Sequence, residues 1–230
     1  MRSAGCIFND IVDKDFDKKV RRTKNRPIAA GKITLKRSFT YVLILCIIAF
    51  FILLQFNLFT IILGMSSMLL AFSYPFMKRI TYWPQLFLGI TFNWGIIMAW
   101  AATNSDITHE IVILYMSAIF WTLGYDTIYG TQDMSDDELI GLKSTSIKFK
   151  KNIKYFFFFL YLISFLLITY LFKTKIGLNI FSLILLIFLI SLVYQLLKFE
   201  KNNPKKCLKM FKLNNFTGLT LFLGILSINF

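Results

Sequence analysis

The sequence predicts an all-α fold, a polytopic transmembrane helix bundle. Three observations carry this. Hydrophobic residues make up 57% of the 230 positions and mean hydropathy is +0.63, whereas a soluble domain of this length has an apolar share of about 45–50%. The apolar residues are gathered into long blocks. Almost all the charge lies between those blocks, which is how a chain looks when each block satisfies its own backbone across about 30 Å of hydrocarbon.

Seven such blocks follow one another: Ser38 to Phe56, Leu58 to Phe76, Pro84 to Ala102, Glu110 to Ile128, Ile153 to Phe172, Gly177 to Leu197 and Leu213 to Phe230. Each approaches the roughly 20 residues a helix needs to cross a bilayer. Tyr82, Trp83 and Trp100 stand near block ends, where an amphipathic ring suits the headgroup level. Trp94 and Trp121 lie deeper and are expected to pack or to line a cavity. Cys6, Cys46 and Cys207 are scattered without metal spacing and read as free thiols. The single His109 opens a helix at an interface. No repeat is evident, and the phenylalanine run at 156–159 is membrane filler.

Charge fixes an orientation. Assigning the loops alternately to two sides places all of the 26 basic residues but Lys173 and Lys175 on one side. The positive-inside rule turns that side to the cytoplasm or its equivalent. The net charge of +14 therefore requires no nucleic acid, since anionic lipid and phosphate-bearing substrates are sufficient partners.

The acids carry the chemistry. Of the 12 acidic residues, all but Asp106, Glu110 and Glu200 fall in two windows, Asp10 to Asp17 and Asp126 to Glu138, both on the positive side. At helical spacing, Asp10, Asp13 and Asp17 share one face, and so do Asp126, Tyr129, Asp133 and Asp137. Two facing carboxylate stripes repel unless cations sit between them. Hard oxygen ligands of this kind suit Mg²⁺, which bridges one or two carboxylates to substrate phosphates. With Arg22, Arg26, Lys78, Arg79 and Lys143 nearby, the pattern points to a diphosphate site. A divalent-cation transporter would put its acids near mid-span, and mid-span charges are missing here.

The segment "NDIVDKDFDKKVRRTKNRP" resembles the NDxxDxxxD motif of the UbiA-type membrane prenyltransferases, including its trailing RT and RP pairs. "DTIYGTQDMSDD" resembles their second motif. "SYPFMKR", "YWPQLFLG", "YDTIYGTQD" and "IGLKSTSI" are similar to the 4-hydroxybenzoate polyprenyltransferase branch, which serves ubiquinone synthesis. The likeness runs from Arg2 to about Ile147. It implies Mg²⁺-dependent transfer of a polyprenyl group from polyprenyl diphosphate to the ring carbon ortho to the hydroxyl of 4-hydroxybenzoate. The alternatives are another UbiA-type aromatic transferase, or an inactive chain that only inserts in membrane.

The resemblance also implies residue roles. Asn9, Asp10, Asp13 and Asp17 form one metal face, and Asp126, Asp133 and Asp137 the other. Arg22, Arg26, Lys78 and Lys143 hold the diphosphate, while Arg79 meets the acceptor's carboxylate. Asp126 orients or deprotonates the phenol, and Tyr129 and Tyr74 face the developing allyl cation. Tyr74, Tyr125 and Tyr129 equally suit plain interfacial packing, and Lys78 and Arg79 suit the positive-inside rule. The family fold has nine helices, so 1–230 is expected to be a single domain lacking the first helix and most of the second, with a separately encoded N-terminal fragment as a partner to look for. The implied location is the bacterial inner membrane with the site on its cytoplasmic side, or the mitochondrial inner membrane in a eukaryote.

Overall fold

The computed structural model describes residues 1–228 and is all-helical among them. A short amphipathic helix, α1 (Arg2–Val12), and a single turn, α2 (Lys14–Asp17), precede the long helices α3 (Leu35–Leu53), α4 (Leu58–Ile80), α5 (Pro84–Asn104) and α6 (His109–Gly130). Two short helices follow, α7 (Met134–Leu139) and α8 (Thr145–Lys148). Then come α9 (Ile153–Leu171), α10 (Ile180–Lys198) and α11 (Pro204–Leu226).

Local chemistry starts these helices where the sequence changes character. Asn57 Oδ1 accepts the backbone N–H of Thr60 at 2.8 Å and Asn179 Oδ1 that of Ser182 at 2.9 Å, while Asn203 and Thr34 cap α11 and α3 in the same way. Each cap satisfies one of the N–H groups left without an intrahelical partner. Pro84 and Pro204 occupy first-turn positions, where a missing N–H costs nothing.

Six helices, α3 to α6 with α9 and α10, are long and apolar enough to cross a membrane; the chain is a multi-pass membrane protein. The last predicted block differs. Its helix begins at Pro204 rather than Leu213, because the Asn203 cap and Pro204 nucleate it early. It therefore takes Lys205, Lys206, Lys209 and Lys212 into its first turns, where long stems can carry charge back to the interface. Residues 229 and 230 of that block lie outside the described residues. Similarly, α4 runs through Pro75 and past Phe76 to Ile80, so Lys78 and Arg79 sit in its last turn, where cations complement the helix dipole.

α6 is the hub, packed by α5, α9 and α11, with α4 on α5 and α10 on α11. Small and hydroxylated residues let the helices close on one another, the packing available where lipid removes the hydrophobic drive. A Cβ on Gly124 would stand 2.5 Å from the Tyr161 ring, and one on Gly89 would stand 3.2 Å from the Ile119 carbonyl. Ser117 donates to the Ser164 carbonyl across α6 and α9 at 2.9 Å. Asn93 Nδ2 reaches Thr122 Oγ1 at 2.8 Å across α5 and α6. Trp94 and Trp121 both pack, their indole N–H groups donating to the Leu63 carbonyl at 3.0 Å and to Asn214 Oδ1 at 2.9 Å, and Trp94 also lines an apolar cavity of about 730 Å³. α3 is joined chiefly through α1, which also reaches α4 by the Phe8–Phe72 edge contact with centroids 4.7 Å apart.

Candidate active site

Both acidic windows lie at one end of this bundle, but neither is a continuous helical stripe. α1 ends at Val12, and Asp13, at φ −90° and ψ 0°, breaks the helix before α2 carries Asp17. In the second window α6 ends at Gly130, and Asp133 then opens α7, which holds Asp137. Breaking the stripes turns their carboxylates inward around a cavity of about 170 Å³. A single helix would have fanned them along one line.

Asn9, Asp13, Asp17, Asp126, Asp133 and Asp137 line that cavity, with Arg22, Arg26, Lys78, Lys143, Tyr74 and Tyr129. The windows are clamped together across the chain. Arg22 Nε donates to Asp133 Oδ1 at 2.9 Å and to Oδ2 at 3.0 Å, its Nη2 also reaches Oδ2, and the Arg21 backbone N–H donates to Asp136 Oδ2 at 3.2 Å. Arg26 Nη1 bridges Asp10 and Asp17, each at 2.9 Å, and Lys78 Nζ lies 2.5 Å from Asp13 Oδ2. The Arg22 guanidinium rests over the Tyr129 ring, 4.9 Å from its centroid, and that ring is backed by Phe211 at 4.5 Å.

Burial works against the charge gathered here. Burial raises Asp13 above the ordinary carboxylate range despite Lys78, and Asp10 despite Arg26. Asp137 is pushed up to about 6, first by burial and then by the Asp133 carboxylate, with Lys78 and Arg22 opposing. The hydrogen bonds from Arg22 to Asp133 raise its guanidinium further still, so it stays charged at any working pH.

The donor set bears on a divalent cation. Among the described residues no three carboxylates converge closely enough to cage one ion; four of them hold cationic side chains instead. Asp13 Oδ1 is buried without a hydrogen-bond partner, and the Asp126 and Asp137 carboxylates have none among the described residues. This suits an ion that takes one or two carboxylates and completes its octahedron with water and substrate phosphate, as Mg²⁺ does. It does not suit an all-protein cage.

The profile of the UbiA prenyltransferase family matches residues 1–216. The chain belongs to that family. It is similar to the mitochondrial 4-hydroxybenzoate polyprenyltransferase of Bos taurus, 43% identical over 231 residues, which cover 98% of this chain and 61% of the bovine protein; the chain thus spans about three fifths of that relative's length. Its fold is shared with a UbiA homolog from Aeropyrum pernix K1, at TM-score 0.82 and 23% identity over 98% of this chain and 84% of that one. A UbiA homolog from Archaeoglobus fulgidus bound to GPP and Mg²⁺ shares it at TM-score 0.70 and 17% identity, over 99% of this chain and 83% of that one.

Two of the expected residues do not line this cavity. Asp10 does not line it and instead braces Arg26 from behind. Arg79, expected at the acceptor's carboxylate, is not brought to the cavity either. Its Nη2 donates to the Val12 carbonyl at 2.6 Å and lies 3.9 Å from Asp13 Oδ1, and its guanidinium lies 4.9 Å over Phe16, so it ties α4 to the end of α1. Conversely, Gln85, Thr23 and Ser144 line the cavity without having been singled out from the sequence. Gln85 offered one signal, a lone amide at the head of an apolar block. Phe211 offered none among 26 phenylalanines.

Proposed function

We propose that this chain carries the Mg²⁺-dependent site that transfers a polyprenyl group from polyprenyl diphosphate to 4-hydroxybenzoate, at the ring carbon ortho to the hydroxyl. The supporting observation is the convergence of two acidic windows, tied by Arg22 to Asp133, on one cation-lined cavity at an end of a membrane bundle. The name of the bovine relative supports the acceptor, and the A. fulgidus homolog supports the ion and the class of donor.

Mg²⁺, when bound, neutralises charge on the departing diphosphate and acts as template. Asn9, Asp13, Asp17, Asp126, Asp133 and Asp137 would hold it, with Asp10 supporting Arg26. Arg22, Arg26 and Lys78 are the diphosphate donors, the guanidinium forks matching phosphate oxygens. They enter already paired with carboxylates, so the site is neutralised before substrate arrives and exchanges partners when it binds. As the C–O bond breaks, positive charge grows on the allyl carbon, and the faces of Tyr129 and Tyr74 can stabilise it. The ring carbon of the acceptor supplies the electron pair, the diphosphate leaves with the C–O bonding pair, and the ring carbon then loses its own proton to restore aromaticity; Asp126, which has no hydrogen-bond partner among the described residues, would accept the phenol's proton during attack and return it to that oxygen afterwards. In this reading the site belongs to the inner membrane of a bacterium or of mitochondria and serves ubiquinone synthesis.

The test is product formation by the purified chain in lipid nanodiscs with Mg²⁺, a polyprenyl diphosphate and 4-hydroxybenzoate. Asp133→Ala is expected to abolish it, because charge stabilisation made in the transition state is lost. Near-normal turnover by that variant would remove the assignment.

A further inference from the structure

Four cations line the cavity, and three of them are already paired with carboxylates: Arg22 with Asp133, Arg26 with Asp10 and Asp17, and Lys78 with Asp13. Lys143 has no carboxylate partner among the described residues. Its Nζ donates only to the Ile80 carbonyl, at 3.1 Å, and lies 5.6 Å from the Tyr82 ring centroid. Beside it the cavity wall is the first turn of α5, where Pro84 and Gln85 both face the space.

Gln85 is only 6% exposed, and its amide is oriented by its surroundings. Oε1 accepts the Thr145 backbone N–H at 2.9 Å, an interaction the NH₂ end cannot make. Nε2 is therefore the free end. It stands beside Gly130, another cavity residue, 3.2 Å from where a Cβ would be, and it has no acceptor among the described residues. The residue is buried but this end of its amide opens on the cavity, so the donor is available to a bound anion. The positive end of the α5 dipole points the same way.

We propose that Lys143 Nζ, Gln85 Nε2 and the N-terminus of α5 form an anion subsite that takes the carboxylate of the aromatic acceptor, the part Arg79 is not placed to play. This deepens the transferase reading and rests on it. One cation, one neutral donor and a partial charge match a single negative charge. The more highly charged diphosphate instead needs the metal and the three paired cations across the cavity.

Equilibrium binding of radiolabelled 4-hydroxybenzoate to the purified chain in nanodiscs tests this without turnover. Lys143→Gln and Gln85→Glu are each expected to weaken binding by about tenfold or more, the scale of one charge-assisted hydrogen bond, while Lys143→Arg retains it. Gln85→Glu keeps an oxygen for the Thr145 N–H, so α8 stays in place. 4-Hydroxybenzamide should bind Lys143→Gln and wild type alike, and geranyl diphosphate with Mg²⁺ should bind all variants equally. The subsite is overturned if the wild type binds the acid no better than the amide, if both variants bind the acid normally, or if they lose geranyl diphosphate instead. Failure of the transferase reading shows separately, as a wild-type chain that binds both substrates and forms no product.

Discussion

Arg22 and Asp133 stand 111 positions apart in sequence, yet the guanidinium of one grips both oxygens of the other at 2.9–3.0 Å. That fork joins the segment after α2 to the start of α7 and so sets the distance between the two acidic windows. Arg22→Lys keeps the charge and loses the fork. Since charge-assisted hydrogen bonds contribute about 1.5–3 kcal/mol, turnover is predicted to fall by roughly tenfold to a hundredfold, with acceptor binding unchanged. Steady-state kinetics of the lysine variant against wild type checks this, and an unchanged kcat would show that the clamp is dispensable.

The acids of the first window are predicted to be unequal. Asp13 is 2% exposed, lines the cavity and has an oxygen without a hydrogen-bond partner, whereas Asp10 touches only Arg26 from outside. Asp13→Asn should eliminate Mg²⁺-dependent product. Asp10→Asn should leave measurable turnover with a raised KM for the diphosphate. Equal losses in the two variants would mean that Asp10 enters the site when substrate binds.

Stability in the absence of metal should depend on pH through Asp137. Its folded value of about 6 exceeds the ordinary 3.8, so the native state binds the proton more tightly than the unfolded chain does. The stabilisation this gives is complete below pH 4 and is lost as pH rises through about 6. In EDTA, the Tm of wild type is predicted to fall between pH 5 and pH 7.5 more steeply than that of Asp137→Asn. Parallel curves would rule out Asp137 as the source. Mg²⁺ added at pH 7.5 should recover part of the lost Tm by offsetting the same charge.

A buried polar network holds the second half of the bundle. Asn214 Oδ1 accepts from Trp121, and its Nδ2 donates to Gln195 Oε1 at 3.0 Å, which also accepts from Tyr161 at 2.8 Å. Asn214→Leu leaves the Trp121 indole N–H unpaired among apolar side chains and removes one of the two donors to Gln195 Oε1. A loss of about 1–2 kcal/mol is predicted, measurable by SDS unfolding in mixed micelles. No loss would mean that water or rearrangement satisfies them.

The charge split predicts that Lys78 and Lys143 face one compartment and Lys173 the other. Single cysteines at these positions, in a chain stripped of its native thiols, should react with an impermeant maleimide from opposite sides of sealed vesicles. Labelling of all three from one side would refute the topology.

The sequence by itself determined the solvent, the helices and the chemical vocabulary of the site. Long apolar blocks decide membrane residence locally, because each must satisfy its own backbone, and α3 to α6, α9 and α10 duly formed. Asp-rich windows on the positive side needed only counting, and their resemblance to the UbiA motifs is local in the chain. What the sequence could not determine was direction. A regular 3.6-residue period carried through Asp13 and past Gly130 put the carboxylates in stripes, but both helices stop there, and each break rotates the following side chains into the cavity. Partner choice is likewise non-local. Lys78 takes Asp13 directly while the adjacent Arg79, 3.9 Å from the same carboxylate, gives its hydrogen bond to the Val12 carbonyl, and the Gln85 amide turns its NH₂ to the cavity because the Thr145 N–H, 60 residues on, occupies its oxygen. Such choices rest on how α1, α4, α5 and α6 pack, and packing depends on pairs of residues that sequence spacing alone does not relate.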